Sequence, residues 1–217
     1  MRILVIGDIH GNLPALEMLL KQEHKGYDEL ICHGDVVNYG PWSNECVELL
    51  ASISNAVLLK GNHEDNYITG EYTGQHPVAR AFFDFCFPRF DPSLKETIKQ
   101  YGSNLRRGSY LIQHTIDQRY IFADTDLSQI RIDNDYIIGH SHQSFIRMEK
   151  NHKIVNTGSL GQNREFINLS SYAILDTADN SVVLKSFVSD IDRVLDKMRS
   201  DGYPKICLDY YMGKKRV

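Results

Sequence analysis

The sequence has little of what marks secreted, membrane or nucleic-acid-binding proteins. Its four cysteines are scattered and form no Cys-x-x-Cys pair, so we expect free thiols in a reducing compartment. No apolar run approaches the roughly 20 residues of a transmembrane helix, and the first one, Arg2–Ile6, is too short for a signal peptide. Lys and Arg number 24 against 28 Asp and Glu, which gives no general attraction to nucleic acid or anionic membranes. We therefore expect a cytoplasmic protein with neither a membrane nor a nucleic-acid partner.

The first 60 residues show an alternation of strands and helices. Apolar runs at Arg2–Ile6, Glu29–Cys32 and residues 56–59 predict buried strands, and helices are predicted to begin after Asn12 and at Ser43. Polar residues that follow the three runs (Asp8, Asp35, Asn62) are spaced 27 residues apart each time. That spacing is typical of successive β-α-β units. The length of 217 residues predicts one α/β domain, 1–217.

The rest of the chain changes pattern twice. Residues 64–108 contain three prolines between aromatic, helix-like stretches, which predicts a helical excursion and a candidate cover for a site. Short, closely spaced runs then predict strands with mostly antiparallel pairing, and a final helix is expected after Asp190. The predicted strands are 110–113, 120–123, 136–138, 145–148, 172–175 and 182–187.

Polar motifs follow the predicted strands in five places. They are Gly-Asp-Ile-His-Gly-Asn from Gly7, Gly-Asp-Val-Val from Gly34, Gly-Asn-His-Glu from Gly61, the lone His114, and Gly-His-Ser-His from Gly139. Open α/β folds build their sites where strands end at one edge of a sheet. Carboxylate, imidazole and amide side chains without thiolates suit Mn²⁺, Fe²⁺ or Zn²⁺. The motifs therefore predict a metal site at this edge.

The chemistry of hydrolysis at two metal ions assigns roles within these motifs. Such a centre needs one carboxylate shared by both ions, and Asp35, after a strand and a flexible Gly34, is the natural choice. Asp8 and His10 stand two residues apart, so they can converge only in an irregular turn. The imidazole of His63, beside the ligands, can assist a departing alcohol as a general acid.

Taken in order, the motifs resemble the calcineurin-like metallophosphoesterase superfamily over about residues 1–161, and within it a small bacterial and archaeal branch of phosphodiesterases and phosphatases. The resemblance implies an α/β fold, a four-layer α/β/β/α sandwich of two mixed sheets flanked by helices. It implies that His63 contacts the scissile phosphate without binding metal. It also implies two ligand sets: Asp8, His10, Asp35 and His142 for one ion, and Asp35, Asn62, His114 and His140 for the other.

This resemblance implies a metal-dependent phosphoesterase in which two divalent ions activate a hydroxide. We expect Mn²⁺, with Fe, Ni, Co or Zn as alternatives, and a small phosphorylated substrate such as a phosphodiester or nucleotide. Alternatives are a phosphomonoesterase, including a phosphoprotein phosphatase or a dinucleoside polyphosphate hydrolase, a nuclease, and a non-catalytic scaffold. The sequence leaves the oligomeric state open.

Two positions depart from the family pattern. Protein phosphatases of the family carry an arginine where this chain has Tyr39, which removes a bidentate phosphate clamp, and Thr115 follows His114 where relatives have glycine. Asn12, Asn38 and Tyr39 are predicted to contact the substrate. His33, two residues before Asp35, is an additional candidate. The arginines that could replace the clamp are Arg80, Arg89, Arg106, Arg107 and Arg147.

Overall fold

A computed structural model describes residues 1–24 and 26–217 of the chain. The strands are β1 (Arg2–Ile6), β2 (Glu29–Cys32), β3 (Ala56–Leu58), β4 (Asn104–Arg107), β5 (Tyr110–Gln113), β6 (Asp135–Ile138), β7 (Ser144–Glu149), β8 (His152–Thr157), β9 (Leu169–Asp176) and β10 (Ser181–Val188). The helices are α1 (Leu13–Gln22), α2 (Ser43–Ala51), α3 (Asn62–Thr69), α4 (Pro77–Cys86), α5 (Leu94–Lys99), α6 (Ile191–Ser200) and α7 (Lys205–Met212). A short 3₁₀ helix spans Phe87–Arg89.

The first sheet confirms the predicted β-α-β steps. Its strand order is β10-β9-β1-β2-β3, and β1, β2 and β3 are parallel neighbours because α1 and α2 each return the chain to the same starting edge. α1 begins as expected, since the Asn12 side chain accepts a hydrogen bond from the Ala15 N–H. The carboxyl ends of three adjacent strands therefore lie at one edge.

The second sheet is more mixed than the sequence suggested. Its order is β4-β5-β6-β8-β7, and β6 pairs in parallel with both β5 and β8. The expectation of mostly antiparallel pairing was wrong at this centre, where turns at residues 115–134 connect β5 to β6 and strand β7 lies between β6 and β8 along the chain. No helix was predicted between these strands, and the spacing of the apolar runs gave no sign of parallel pairing.

Alternate side chains of the central strands build two separate cores. Ile3, Val5 and Ile31 face the second sheet, where they meet residues such as Ile112 and Ile137. The opposite face of the first sheet packs on the helices. The predicted sandwich of two mixed sheets is confirmed. The outer face of the second sheet is covered by residues 115–134, which make turns.

Several element predictions differ from the structure. The predicted strand 120–123 was wrong, because Ile121 packs on the outer face of the second sheet from an irregular segment. β4 and β8 were missed since their polar residues read as turn sequence, and α3 and α7 were not expected.

In the described residues, no helix is long and apolar enough to span a membrane. The 64–108 excursion does contain helices, namely α3, α4 and α5.

Candidate metal centre

The predicted ligand residues lie together where strands of both sheets end. They are Asp8 and His10 after β1, Asp35 after β2, Asn62 at the start of α3, His114 after β5, and His140 and His142 after β6. All are buried except Asn62, which is exposed. The two sheets meet at this edge, so residues far apart in sequence share one small volume.

The backbone at five of these residues is in the left-handed region. The φ angles are 48° at Asp8, 50° at His10, 54° at Asp35, 67° at His140 and 58° at His142. Asp and His tolerate this region better than most residues, yet each such conformation costs on the order of 1–3 kcal/mol. Backbone hydrogen bonds hold the turns in place, for example from the Asp8 N–H to the Gly34 carbonyl at 2.9 Å. Strain concentrated in this way is typical of a functional site.

One group of donor atoms surrounds His142 Nε2. It lies 3.1 Å from Asp8 Oδ1 and 3.1 Å from His10 Nε2. His10 Nε2 is in turn 3.9 Å from Asp35 Oδ2. These four residues have ligand atoms that all lie within 4.8 Å of one another. The structure therefore brings together the whole of the first predicted ligand set.

A second group surrounds His114 Nε2. It lies 3.1 Å from Asp35 Oδ2, 3.1 Å from His140 Nδ1 and 3.3 Å from Asn62 Oδ1. Asp35, His114 and His140 have ligand atoms within 4.8 Å of one another. The Asp35 carboxylate is thus the group that the two donor sets share, as expected of a carboxylate placed between two cations.

The spacing of the donor atoms fits a divalent cation. Metal–ligand bonds of about 2.1 Å at tetrahedral or octahedral angles place neighbouring ligand atoms about 3.0–3.4 Å apart. The shortest contacts in both groups fall in that interval. Two imidazole nitrogens that face each other at 3.1 Å, as in His10 and His142, point their lone pairs toward one place.

Carbonyl groups orient two of the imidazoles from behind. His142 Nδ1 donates to the Gln162 carbonyl at 2.6 Å, and His10 Nδ1 donates to the Val37 carbonyl at 3.2 Å. These bonds fix the tautomer that leaves the lone pair of Nε2 directed into the centre. Metal-binding histidines are commonly held in this way.

The charge of the centre also calls for a cation. Among residues 1–24 and 26–217, the only cationic partners within 4.0 Å of Asp8 or Asp35 are histidines. Burial alone would raise the pKa of Asp35, but His114 and other imidazoles hold it well below its usual range. Burial opposes the charging of His114, yet the Asp35 carboxylate raises the pKa of its imidazole to about 9. Buried carboxylates need such compensation, which a divalent ion would supply.

Glu64 supports the turn that carries Asp35, and it was quoted in the motif without a predicted role. Its buried carboxylate accepts hydrogen bonds from the backbone N–H groups of Gly61, Asp35, Val36 and Val37, at 2.7–3.2 Å. Burial and the neighbouring Asp35 carboxylate raise its pKa to about 7. The four donors hold the turn after β2 against the start of α3.

We expect Glu64→Gln to lower the free energy of unfolding by about 2–3 kcal/mol, because the amide NH₂ group would face backbone N–H donors that a carboxylate oxygen now accepts. Urea denaturation with a chelator present measures this apart from metal binding. The control is Glu96→Gln on the exposed face of α5, which should change stability by less than about 0.5 kcal/mol. Equal midpoints for the two variants would contradict the role given to Glu64.

The three residues predicted to contact the substrate, Asn12, Asn38 and Tyr39, differ from one another in their surroundings. Both polar ends of the Asn12 amide are engaged, by the Ala15 N–H and the Gly161 carbonyl. The Asn38 amide contacts His63 Nδ1 at 3.1 Å, and the Tyr39 ring packs against His10 and His63. Their contacts with a substrate stay predictions.

His33 is buried beside the centre, and its ring nitrogen lies within 4.8 Å of ligand atoms of Asp8 and His114. Its Nε2 atom is 2.7 Å from the Thr157 hydroxyl, and the ring fills the space beside Gly7 and Gly139. A Cβ at Gly139 would lie 2.2 Å from both this ring and Asp8 Oδ2. Glycine there is required by close approach, so His33 and the two motif glycines form one packed unit.

Comparison with known proteins agrees with this geometry. Residues 1–180 match the family model described as calcineurin-like phosphoesterase. The chain belongs to this family. As a calcineurin-like phosphoesterase it is a hydrolase of phosphoric ester bonds with a divalent metal centre.

This phosphoesterase is similar to proteins from several organisms, three of which illustrate the range of the matches. An uncharacterised protein of Methanocaldococcus jannaschii is 27% identical over 94% of both chains. A metallophosphoesterase of Sphaerobacter thermophilus has the same fold, with a TM-score of 0.77, 24% identity and 98% of each chain covered. A symmetrical bis(5'-nucleosyl)-tetraphosphatase of Thioalkalivibrio sulfidiphilus is 35% identical over 37% of this chain and 30% of its own length.

Proposed function

We propose that the chain hydrolyses small phosphodiester or nucleotide-type substrates with two divalent cations, Mn²⁺ first among them. The observation that supports this most strongly is the pair of donor sets that share Asp35. Oxygen and imidazole donors without thiolates suit Mn²⁺, and Fe, Ni, Co and Zn are alternatives. We keep the cytoplasm as the proposed location, since the four cysteines are free thiols.

Two cations bound there would polarise the phosphoryl oxygens and lower the pKa of attacking water. The protein positions the substrate around them. α3 begins at Asn62 beside the candidate metal centre, so its positive end would face a bound phosphate. The backbone N–H of His63 donates to Asp35 Oδ1 at 3.0 Å, which ties this helix end to the shared carboxylate.

The surroundings of His63 suit a hydrogen-bond donor to the departing oxygen. The Tyr67 hydroxyl contacts Asn38 Oδ1 at 3.5 Å, which turns the Asn38 amide nitrogen toward His63 Nδ1. The proton of the neutral imidazole is then on Nε2, which lies 4.0 Å from Asp35 Oδ2 and faces the centre. Burial lowers the pKa of this imidazole, so the neutral form prevails at pH 7. The Nε2–H can stabilise negative charge that develops on the leaving group.

We expect His63→Ala to slow the hydrolysis of diphenyl phosphate by about a hundredfold and that of bis-p-nitrophenyl phosphate by only about tenfold. Phenolate is the more basic leaving group and gains more from the hydrogen bond. The control is His152→Ala, since His152 lies at the start of β8 away from the centre. Equal losses on both esters would show that His63 does not act on the departing oxygen.

The principal alternative is a phosphomonoesterase, which includes hydrolysis of dinucleoside polyphosphates. A partial match to a bis(5'-nucleosyl)-tetraphosphatase supports that variant, while serine/threonine-protein phosphatases match a similar share of the chain with similar identity. A phosphoprotein phosphatase is less favoured, because the Tyr39 ring packs on Phe82 and His10 where such enzymes carry an arginine.

The rates on bis-p-nitrophenyl phosphate and p-nitrophenyl phosphate, with Mn²⁺ and with chelator, separate these functions. Faster, chelator-sensitive turnover of the diester supports our proposal, and faster turnover of the monoester supports the alternative. A folded, metal-loaded protein that hydrolyses neither ester would favour a scaffold.

A further inference from the structure

The cleft above the candidate metal centre has a charge opposite to that of the whole chain. Its volume is about 520 Å³, within the range of small-molecule sites. His63 and Asn62 lie on one side, and Arg164 and Lys214 on another. In the part of the chain that the structure describes, no carboxylate lines it, although acidic residues outnumber basic ones by 28 to 24 in the sequence. An anionic ligand is therefore favoured in this cleft.

Arg164 and Lys214 are close together and lack an acidic partner. Lys214 Nζ donates to the Arg164 carbonyl at 2.8 Å. Across residues 1–24 and 26–217, neither side chain has a carboxylate within 4.0 Å, whereas Lys215 and Arg216 pair with Glu165 and Asp192. Burial and the Arg164 charge lower the pKa of Lys214. Two adjacent cations without a counter-charge are suited to a phosphate group.

Aromatic rings hold both cations at the rim of the centre. The Tyr120 ring stacks on His140 with 4.0 Å between centroids, and the Arg164 guanidinium lies 4.7 Å from the Tyr120 centroid. Lys214 lies 4.7 Å from the Tyr210 centroid. Arg164 donates a hydrogen bond to the His140 carbonyl at 3.5 Å. The cations are thus placed beside the position of a phosphate held at Asp35, rather than on it.

We propose that Arg164 and Lys214 bind a second phosphate group of a nucleotide-type substrate, beyond the ester that is hydrolysed. The inference rests on the proposed phosphoesterase function and names its substrate class, a nucleotide ester with an additional phosphate. Among the described residues, none of the five arginines that the sequence suggested as phosphate clamps lines the cleft, and Arg164 and Lys214 take that place.

Two matched esters test whether Arg164 and Lys214 bind a second phosphate group. Thymidine 5'-(p-nitrophenyl phosphate) and the same ester with a 3'-phosphate release p-nitrophenol from the same bond, and differ only in the second phosphate. We expect kcat/KM to favour the 3'-phosphorylated ester by about tenfold or more, as for a charge-assisted contact. Arg164→Gln and Lys214→Gln should each remove most of this preference. Lys214→Arg should keep it, and so should Lys215→Gln, the control one residue further along.

Binding gives a second readout that needs no turnover. By titration calorimetry, thymidine 3',5'-bisphosphate should bind more tightly than thymidine 5'-phosphate, and both glutamine variants should reduce that difference. No preference in the wild-type protein, or equal losses on both esters in the variants, would overturn the inference. If neither ester is hydrolysed with any metal, the proposed function fails instead, and the calorimetry alone decides the role of the two cations.

Discussion

Asp35→Asn is expected to reduce the Mn²⁺-dependent hydrolysis of bis-p-nitrophenyl phosphate on the order of a thousandfold or more. Asp35 is the only residue whose carboxylate belongs to both donor sets, among the residues that the structure describes. Asparagine has the same shape and keeps an oxygen for the His63 N–H, so the fold should persist. What is lost is the negative charge between the two cation positions. Steady-state kinetics, with circular dichroism to verify folding, measure the effect.

The control for this variant is Asp176→Asn, at the end of β9. Its half-exposed carboxylate lies 3.7 Å from the N-terminal ammonium group and accepts a hydrogen bond from the Ala178 N–H. This substitution makes the same chemical change outside the centre and should leave kcat/KM within about twofold. Activity of Asp35→Asn within tenfold of the wild-type protein would exclude a shared carboxylate as the basis of hydrolysis.

A divalent cation is expected to raise the melting temperature of the metal-free protein by about 10 °C. A ligand present at 1,000 times its dissociation constant adds about 4 kcal/mol to stability. In a chain of this length each kcal/mol raises the melting temperature by about 2–4 °C. The physical source is the buried charge of Asp8 and Asp35 and the strained turns that carry them. Differential scanning fluorimetry with Mn²⁺ and with chelator measures the shift.

His142→Ala tests whether the shift comes from the candidate centre. The variant removes the nitrogen that lies 3.1 Å from both Asp8 Oδ1 and His10 Nε2, so at least half of the cation-dependent shift should disappear. His152→Ala, the matched control, should keep all of it. A shift of the same size in His142→Ala would place the stabilising cation elsewhere.

The predicted ligand residues lie close together because each one follows a strand. Asp8, Asp35 and Asn62 come after strands that are parallel neighbours, so their order along the chain becomes their order along the sheet edge. His114 and His140 follow strands of the second sheet, and the family resemblance assigned them to one ligand set with Asp35 and Asn62. The periodicity of apolar residues along a strand does not show which sheet packs against which.

The supporting residues could not be predicted in the same way. Glu64 acts through four backbone N–H groups, a pattern that depends on how the β2 turn meets α3. The role of Arg164 and Lys214 depends on a missing acidic partner, which is a property of the folded surface. The irregular 115–134 segment was also misread, since Ile121 and its neighbours have an apolar spacing that suits a strand yet pack without a ladder.

Crystals grown with Mn²⁺ and measured at the manganese absorption edge test the central claim most directly. We expect two anomalous peaks about 3.5–4 Å apart, on either side of the Asp35 carboxylate. One should lie beside Asp8 and His142, and the other beside His114 and His140. A single peak, or peaks away from Asp35, would contradict the two-cation centre.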